Sequence, residues 1–337
     1  MTTSSPAFDL ALSPALTDRE ILIRDVQTGL HSRPRSLKPW MFYDELGSQL
    51  FERITTLADY YPTRTERSLL ESQADVIIAT ACAGSPPLRI LELGAGTALK
   101  TCVLLAAAVR RRIDVVYMPL DVSAEALEVA HRNIECTCPE VLIEPVVVNY
   151  VDSPPQLEEF DGTTLALYLG SSIGNFLPGE SRTILRNLGS QLRNKDALVL
   201  GTDLVKDESM LMAAYDDNEG VTAAFNLNIL RRLNKELGAD FDLAGFRHRI
   251  NWNSLESRVE MHLESMRDQN VQIEAAGLEL HLRNGETIHT EDSYKFTDET
   301  LGTLLSDSGF EIQNTWKDGC DWYALTLSSW RGQDESD

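Results

Sequence analysis

The stretch LELGAGTALK, residues 91–100, decides the fold. Leu88 to Leu93 is a short apolar run, the pattern of a strand covered on both faces. Gly94 and Gly96 follow at once, and a helical pattern continues through Ala107. Glycines at that junction let the chain turn sharply and let a ligand approach the backbone, beside a helix start and outside the carboxyl end of a sheet. The next apolar run, Val115 to Leu120, ends at Asp121, where a carboxylate can accept from both hydroxyls of a ribose. A glycine loop after one strand and an acid after the next imply an adenosine-containing cofactor.

NAD and S-adenosylmethionine both satisfy that pair. The dinucleotide fingerprint asks for a third glycine where this chain has Leu99. Glu92 instead stands two residues before Gly94, an acid common in S-adenosylmethionine enzymes. That cofactor carries an ammonium, a sulfonium and a carboxylate but no phosphate, and Lys100 can pair with the carboxylate. The balance favours a methyltransferase over a dehydrogenase.

Working outward, apolar runs at 141–148, 165–169 and 197–200 alternate with helical patterns at 124–133 and 181–193. This is the rhythm of a doubly wound α/β domain with a mostly parallel sheet. After Asp203 it breaks: helical patterns near 207–216 and 219–236 precede strand-like segments near 257–267 and 271–283. A helix near 298–308 and an antiparallel edge hairpin, 310–316 with 322–327, end the chain. Upstream, Thr17 and Glu20 form a capping box ahead of Ile21, Ile23, Val26 and Leu30. Pro34 and Pro39 interrupt the chain before helical patterns near 44–56 and 64–83.

With 30 Lys+Arg against 52 Asp+Glu the net charge is −22, which repels bare nucleic acid and anionic lipid. The five cysteines (Cys82, Cys102, Cys136, Cys138, Cys320) are too scattered for a disulfide scaffold, and no second pair or His cluster completes a metal site around Cys136 and Cys138. With no basic, apolar leader and no run of about 18 apolar residues, the expected setting is the reduced cytoplasm.

The segments FYDELGSQLFERIT, DYYPTRTE, LELGAGTALKT, LGSSIGNF, GTDLVKD, AYDDNEGVTAAFN, DFDL, RVEMHL and TEDSYKF run in order from about residue 40 to 300. They resemble the histidine Nα-methyltransferases of ergothioneine biosynthesis. The resemblance implies a Rossmann-like class I methyltransferase domain (64–205 and 295–331) and a second α+β, substrate-binding domain (10–63 and 206–294), with tails at 1–9 and 332–337. It implies trimethylation of the α-amine of L-histidine to hercynine, consuming three S-adenosylmethionine, by a chain acting as a monomer.

Residue by residue, the resemblance makes Gly94, Lys100, Asp121, Asn149, Tyr150, Gly170 and Ser171 cofactor contacts. Asn149 and Tyr150 stand where the family pattern has Asp and Phe; an Asn carbonyl still accepts from an adenine amino group, without charge. Tyr60, Asn175 and Tyr215 would hold the amino-acid moiety, and Glu291 and Ser293 would read the two imidazole nitrogens. Met261 would wall that pocket. Tyr43 is the candidate to hydrogen-bond the amine, and Phe51 with Tyr43 and Tyr60 can face the growing cation. Without the resemblance, Glu291 and Ser293 read as an exposed strand face and Met261 and Phe51 as packing. The alternatives are the same fold acting on another aromatic amino acid or small amine, a silent adenosine-ligand sensor, and an NAD dehydrogenase.

Overall fold

The computed structural model describes residues 17–82, 87–151, 154, 157–194 and 196–331; the expected tails at 1–9 and 332–337 lie outside them. Helix α1 (Asp18–His31) starts at its capping box, with Thr17 Oγ1 accepting from the Glu20 amide and the Glu20 carboxylate accepting from the Thr17 amide. Two donors that a helix start leaves open are thereby satisfied. Strand β1 (Arg35–Ser36) and helix α2 (Glu45–Thr55) lead into α3 (Tyr61–Ala81). That helix begins three residues before the expected Arg64, because Pro62 lies in its first turn, where a missing N–H costs nothing.

The alternating part comprises β2 (Leu88–Leu93), α4 (Cys102–Arg110), β3 (Val115–Asp121), α5 (Ala124–Thr137), β4 (Leu142–Ile143), β5 (Val146–Val147), β6 (Thr163–Tyr168), α6 (Pro178–Gly189) and β7 (Ala197–Asp203). Then come α7 (Glu208–Tyr215), α8 (Val221–Leu237), β8 (Phe246–Asn253), β9 (Arg258–Ser265), β10 (Gln269–Ile273), β11 (Leu278–Leu282) and β12 (Thr287–Tyr294). Helix α9 (Asp298–Asp307) and strands β13 (Phe310–Lys317) and β14 (Tyr323–Trp330) close the described chain.

The large sheet has the order β13-β14-β7-β6-β2-β3-β4, with β5 also on β3. Strands β2 to β7 pair in parallel, whereas β14 runs antiparallel to both β7 and β13. The chain moves from β2 outward to β3, then returns to place β6 on the other side of β2. The crevice between the carboxyl ends of β2 and β6 is therefore the topological switch point, where open α/β sheets bind ligands. One face of the sheet buries Ile77, Ile90, Leu105 and Val199, the other Leu91, Ala166, Leu185 and Leu198. This is the doubly wound, mostly parallel α/β architecture expected from the alternating pattern.

A second sheet, β1-β12-β9-β8, forms its own core with α1, α2, α7 and α8 around Leu22, Phe42, Phe225, Leu230, Leu263 and Ile288. The two sheets meet where β12 ends against β7. There the Phe296 amide donates to Asp203 O at 2.9 Å and the Val205 amide to Phe296 O at 3.0 Å.

Two expected strand runs are corrected, one strand is added, and the exposed-face alternative for β12 is set aside. The run 141–148 is not one strand: Pro145, which has no N–H to donate, separates β4 from β5. The run 271–283 is a hairpin, β10 with β11, turned at Gly277, whose φ of +59° favours glycine. Strand β8, absent from the sequence reading, pairs antiparallel with β9. The strand carrying Glu291 and Ser293 does not present them to solvent; they are 6% and 3% exposed.

Leu263 lies fully buried in β9, the strand between β12 and β8. Leu263→Ala should lower unfolding free energy by about 2–5 kcal/mol, read from the denaturant midpoint. An unchanged midpoint would mean that this core is not as described.

Candidate active site

The loop after β2 is pinned by its backbone: the Gly94 amide donates to Leu120 O at 2.8 Å. Gly94 and Gly96 adopt φ of +65° and +52°, conformations that a side chain makes costly. A Cβ on Gly94 would also come within 2.9 Å of Tyr150 Oη, so the Tyr150 ring lies against this loop. At the end of β3 the Asp121 carboxylate accepts from the amides of Gly96 and Ser123, both at 3.0 Å. Burial raises its pKa, and those amides oppose the rise. The carboxylate is thus fixed in orientation, with lone pairs left for a ligand.

A cavity of about 1220 Å³ lies over this point, lined by Gly94, Gly96, Asp121, Val122, Asn149 and Tyr150 and faced by Tyr43 and Phe51. Val122, an apolar residue left 42% exposed beside Asp121, offers a surface for a flat base. An acid hydrogen-bonded to a bare glycine loop, with an exposed apolar side chain next to it, fits an adenosine group.

Lys100 lines neither this cavity nor the smaller one beside it. Its ammonium pairs with the Glu66 carboxylate on α3. Glu66 is fully buried and also accepts from the Gly170 amide at 2.8 Å and Tyr323 Oη at 2.7 Å. The cationic end of Lys100 therefore lies under the loop after β6, within 3.3 Å of where a Gly170 Cβ would stand. Glu92 likewise does not line the cavity. It accepts from Thr101 Oγ1 and Tyr117 Oη, and burial pushes its pKa up to about 7. Its carboxyl ties β2 to the approach of α4.

The smaller cavity, about 50 Å³, adjoins the first and shares Tyr43, Phe51, Ser172 and Asn175 with it. Around it come Tyr60, Gly170, Ser171, Tyr215, Met261, Glu291 and Ser293, residues from five stretches far apart in sequence. Ser171 holds φ +57° and its hydroxyl accepts from the Asp203 amide at 2.9 Å, fixing the turn after β6. Aromatic rings form the lip: Tyr43–Phe51 centroids are 5.8 Å apart, Phe51–Tyr60 6.5 Å and Tyr60–Tyr215 6.5 Å, all edge-on. Burial first, then nearby carboxylates and phenols, hold Tyr43 and Tyr60 well above the ordinary phenol range. Both stay neutral hydroxyls.

Glu291 and Ser293 point from one face of β12, as the two-residue period of a strand requires. Burial pushes the Glu291 carboxyl up to about 8 against the pull of Lys295. Ser293 Oγ lies 2.7 Å from Tyr215 Oη, and Lys295 Nζ lies 2.8 Å from each and 2.9 Å from Asp203. Lys295 and Asp203 are each 1% exposed. Burial, the largest single influence, would lower the Lys295 pKa, but the Asp203 charge, Tyr215 and the hydrogen bonds to both together outweigh it and the ammonium is held above its usual range.

Sequence reasoning missed Glu66, Asp203, Lys295, Val122 and Phe225 as parts of this site. The signal for Lys295 lay in TEDSYKF, where a Lys ending a strand reads as solvated; nothing local distinguishes Glu66 from other helix carboxylates.

Residues 22–330 match the family model described as "Histidine-specific methyltransferase, SAM-dependent". The chain belongs to this family. It is 41% identical over 309 residues to a histidine N-alpha-methyltransferase of Mycolicibacterium smegmatis, covering 92% of this chain and 95% of that one. A protein of the same description from Mycobacterium tuberculosis is 39% identical, with 91% and 94% covered. Ergothioneine biosynthesis protein 1 of Neurospora crassa is 30% identical over 87% of this chain and 33% of its own length.

The raised Glu291 pKa has a consequence for stability. The folded protein keeps a proton that the unfolded chain releases above its ordinary pKa of about 4.3, so on this group's account stability falls as pH rises from there to about 8. Glu291→Gln should therefore raise the ligand-free Tm little near pH 4.5 and progressively more up to about pH 8.5. A gain independent of pH would contradict the assignment.

Proposed function

We propose that the chain transfers methyl groups from S-adenosylmethionine to the α-amine of L-histidine, three in succession, to give hercynine, the first step of ergothioneine biosynthesis. The observation that carries this reading is the pair of adjoining cavities. The outer one has the features of an adenosine site, and the inner one ends at a buried carboxyl and hydroxyl on one strand face. Family membership and the histidine N-alpha-methyltransferase relatives support the same substrate and the same cofactor.

Gly94, Gly96, Asp121, Val122, Asn149 and Tyr150 would hold the adenosine end, with Asp121 on the ribose and Asn149 near the base. Gly170 and Ser171, backed by Glu66 and Lys100, would border the amino-acid end. When bound, the cofactor supplies an electrophilic methyl carbon on a sulfonium. The chain's own residues do the rest. Glu291 and Ser293 take the imidazole at the closed end, which places the amine at the lip shared by the two cavities. Asn175 and Tyr60 orient the amino-acid moiety there.

Tyr43, a neutral phenol, acts on the amine by hydrogen bonding rather than as a phenolate base. The amine must therefore reach the lip already unprotonated or lose its proton to water in the cleft. Positioning is then the main contribution of the protein. The faces of Tyr43, Phe51 and Tyr60 suit an ammonium that ends with no N–H to donate, at roughly 0.5–2 kcal/mol per contact.

We further propose a division of labour between a cofactor-binding part (64–205 and 295–331) and a substrate-binding part (10–63 and 206–294). In this reading the chain acts as a monomer in the cytoplasm, without nucleic acid or membrane. Both cavities are built from one chain, and among the described residues no helix is long and apolar enough to cross a membrane.

Incubation with S-adenosylmethionine and L-histidine should give mass increases of one, two and three methyl groups, all on the α-nitrogen. Glu291→Ala should lose histidine turnover and gain activity on other aromatic amino acids, since the wild-type carboxyl left unpaired penalises them. Full histidine turnover in that variant, or methylation of tryptophan with histidine untouched in the wild type, would overturn the substrate assignment.

A further inference from the structure

We propose that Lys295 is a specificity-determining positioning residue: it fixes the Ser293 hydroxyl as a hydrogen-bond donor toward the substrate, so that the inner cavity accepts a neutral imidazole in one tautomer and refuses an imidazolium. The proposal rests on histidine being the substrate and goes beyond it by assigning the proton positions.

The argument is a count of hydrogens. A Lys ammonium has three donors and no acceptor. Those of Lys295 are taken by Asp203 Oδ2 at 2.9 Å, Tyr215 Oη at 2.8 Å and Ser293 Oγ at 2.8 Å. Both hydroxyl oxygens are therefore acceptors toward Lys295. The 2.7 Å contact between them uses one further hydroxyl hydrogen. A phenol, with its pKa of about 10, is the stronger acid and the poorer acceptor of the two, so Tyr215 donates and Ser293 accepts. Ser293 Oγ then accepts twice, both its lone pairs are engaged, and its own hydrogen has no partner within the triangle. That hydrogen is left for the cavity that Ser293 lines.

The other reader is Glu291, two residues earlier on β12 and lining the same cavity. One O–H donor and one carboxyl oxygen acceptor match a neutral imidazole, which has one lone-pair nitrogen and one N–H. An imidazolium brings two N–H groups, one of which meets the hydrogen of Ser293. A benzene ring or an indole brings no lone-pair nitrogen at all and leaves the Ser293 donor unmet, which costs affinity. The ammonium of Lys295, buried beside the cavity, opposes a second cation in the same sense. Asp203 supplies the counter-charge that keeps Lys295 protonated, so the polarity of the triangle is set by the seam between the two sheets.

The test is ¹⁵N NMR of ring-labelled L-histidine bound to the full-length protein with S-adenosylhomocysteine, near pH 6, where free histidine is largely imidazolium. The expected spectrum has one unprotonated, pyridine-type nitrogen and one pyrrole-type nitrogen, unlike the free ligand at the same pH. In Lys295→Met, checked for folding by its melting curve, the two signals should move toward a mixture of tautomers or imidazolium. Lys295→Arg, which still donates, should retain the wild-type pattern in part. Two pyrrole-type nitrogens in the wild type would overturn the proposal, and so would an unchanged wild-type pattern in a folded Lys295→Met. The wild-type spectrum stands even if that variant does not fold. Absence of any bound histidine signal would instead sink the substrate assignment itself.

Discussion

The ion pair between Lys295 and Asp203 holds the account together. Asp203 ends β7 of the large sheet, and Lys295 follows β12 of the second. Both are buried, 2.9 Å apart. Such a pair adds little net stability, because removing two charges from water offsets most of their attraction. Its effect is positional. With the backbone bonds of Phe296 to Asp203 and Val205, and Tyr61 Oη donating to the Asp203 carboxylate at 2.8 Å, it fixes where β12 stands against the carboxyl end of the parallel sheet. Glu291 and Ser293 on β12 therefore line the inner cavity and do not face solvent.

The two cavities beside that junction differ in size and lining. The outer one is large, and the loops after β2, β3 and β5 border it with the glycine backbone and the Asp121 carboxylate. The inner one is small, walled by Phe225, Met261 and Tyr215, and closed at its far end by the polar face of β12. In the proposed reading selectivity and transfer are separated in space, and the aromatic lip lies where the two cavities adjoin.

Legibility in the sequence tracked locality. Gly94, Gly96 and Asp121 were readable because a turn, a strand end and a helix start lie within a few residues of one another. The parallel sheet was readable for the same reason, through its alternating apolar runs. Pro145 and Gly277 each broke a run that apolar pattern alone made continuous. Glu291, Ser293, Tyr215 and Asn175 acquired roles only through the family resemblance, because alternation on a strand does not say which face is covered. Glu66 and Lys295 stayed invisible: their partners Gly170 and Asp203 come from distant parts of the chain, and a carboxylate or ammonium is recognisable as buried only once the fold has enclosed it. Lys100 stands near the Gly170 turn as expected, and the partner that the sequence did not show is Glu66.

The central claim is one of orientation: the imidazole lies inward and the amine faces the cofactor. A crystal structure with L-histidine and S-adenosylhomocysteine tests it directly. The account predicts the thioether sulfur at the lip bordered by Tyr43, Phe51 and Asn175, the α-nitrogen facing it, and the ring between Glu291 and Ser293. A ring nitrogen facing the sulfur, or histidine seated in the outer cavity with the inner one vacant, would contradict it.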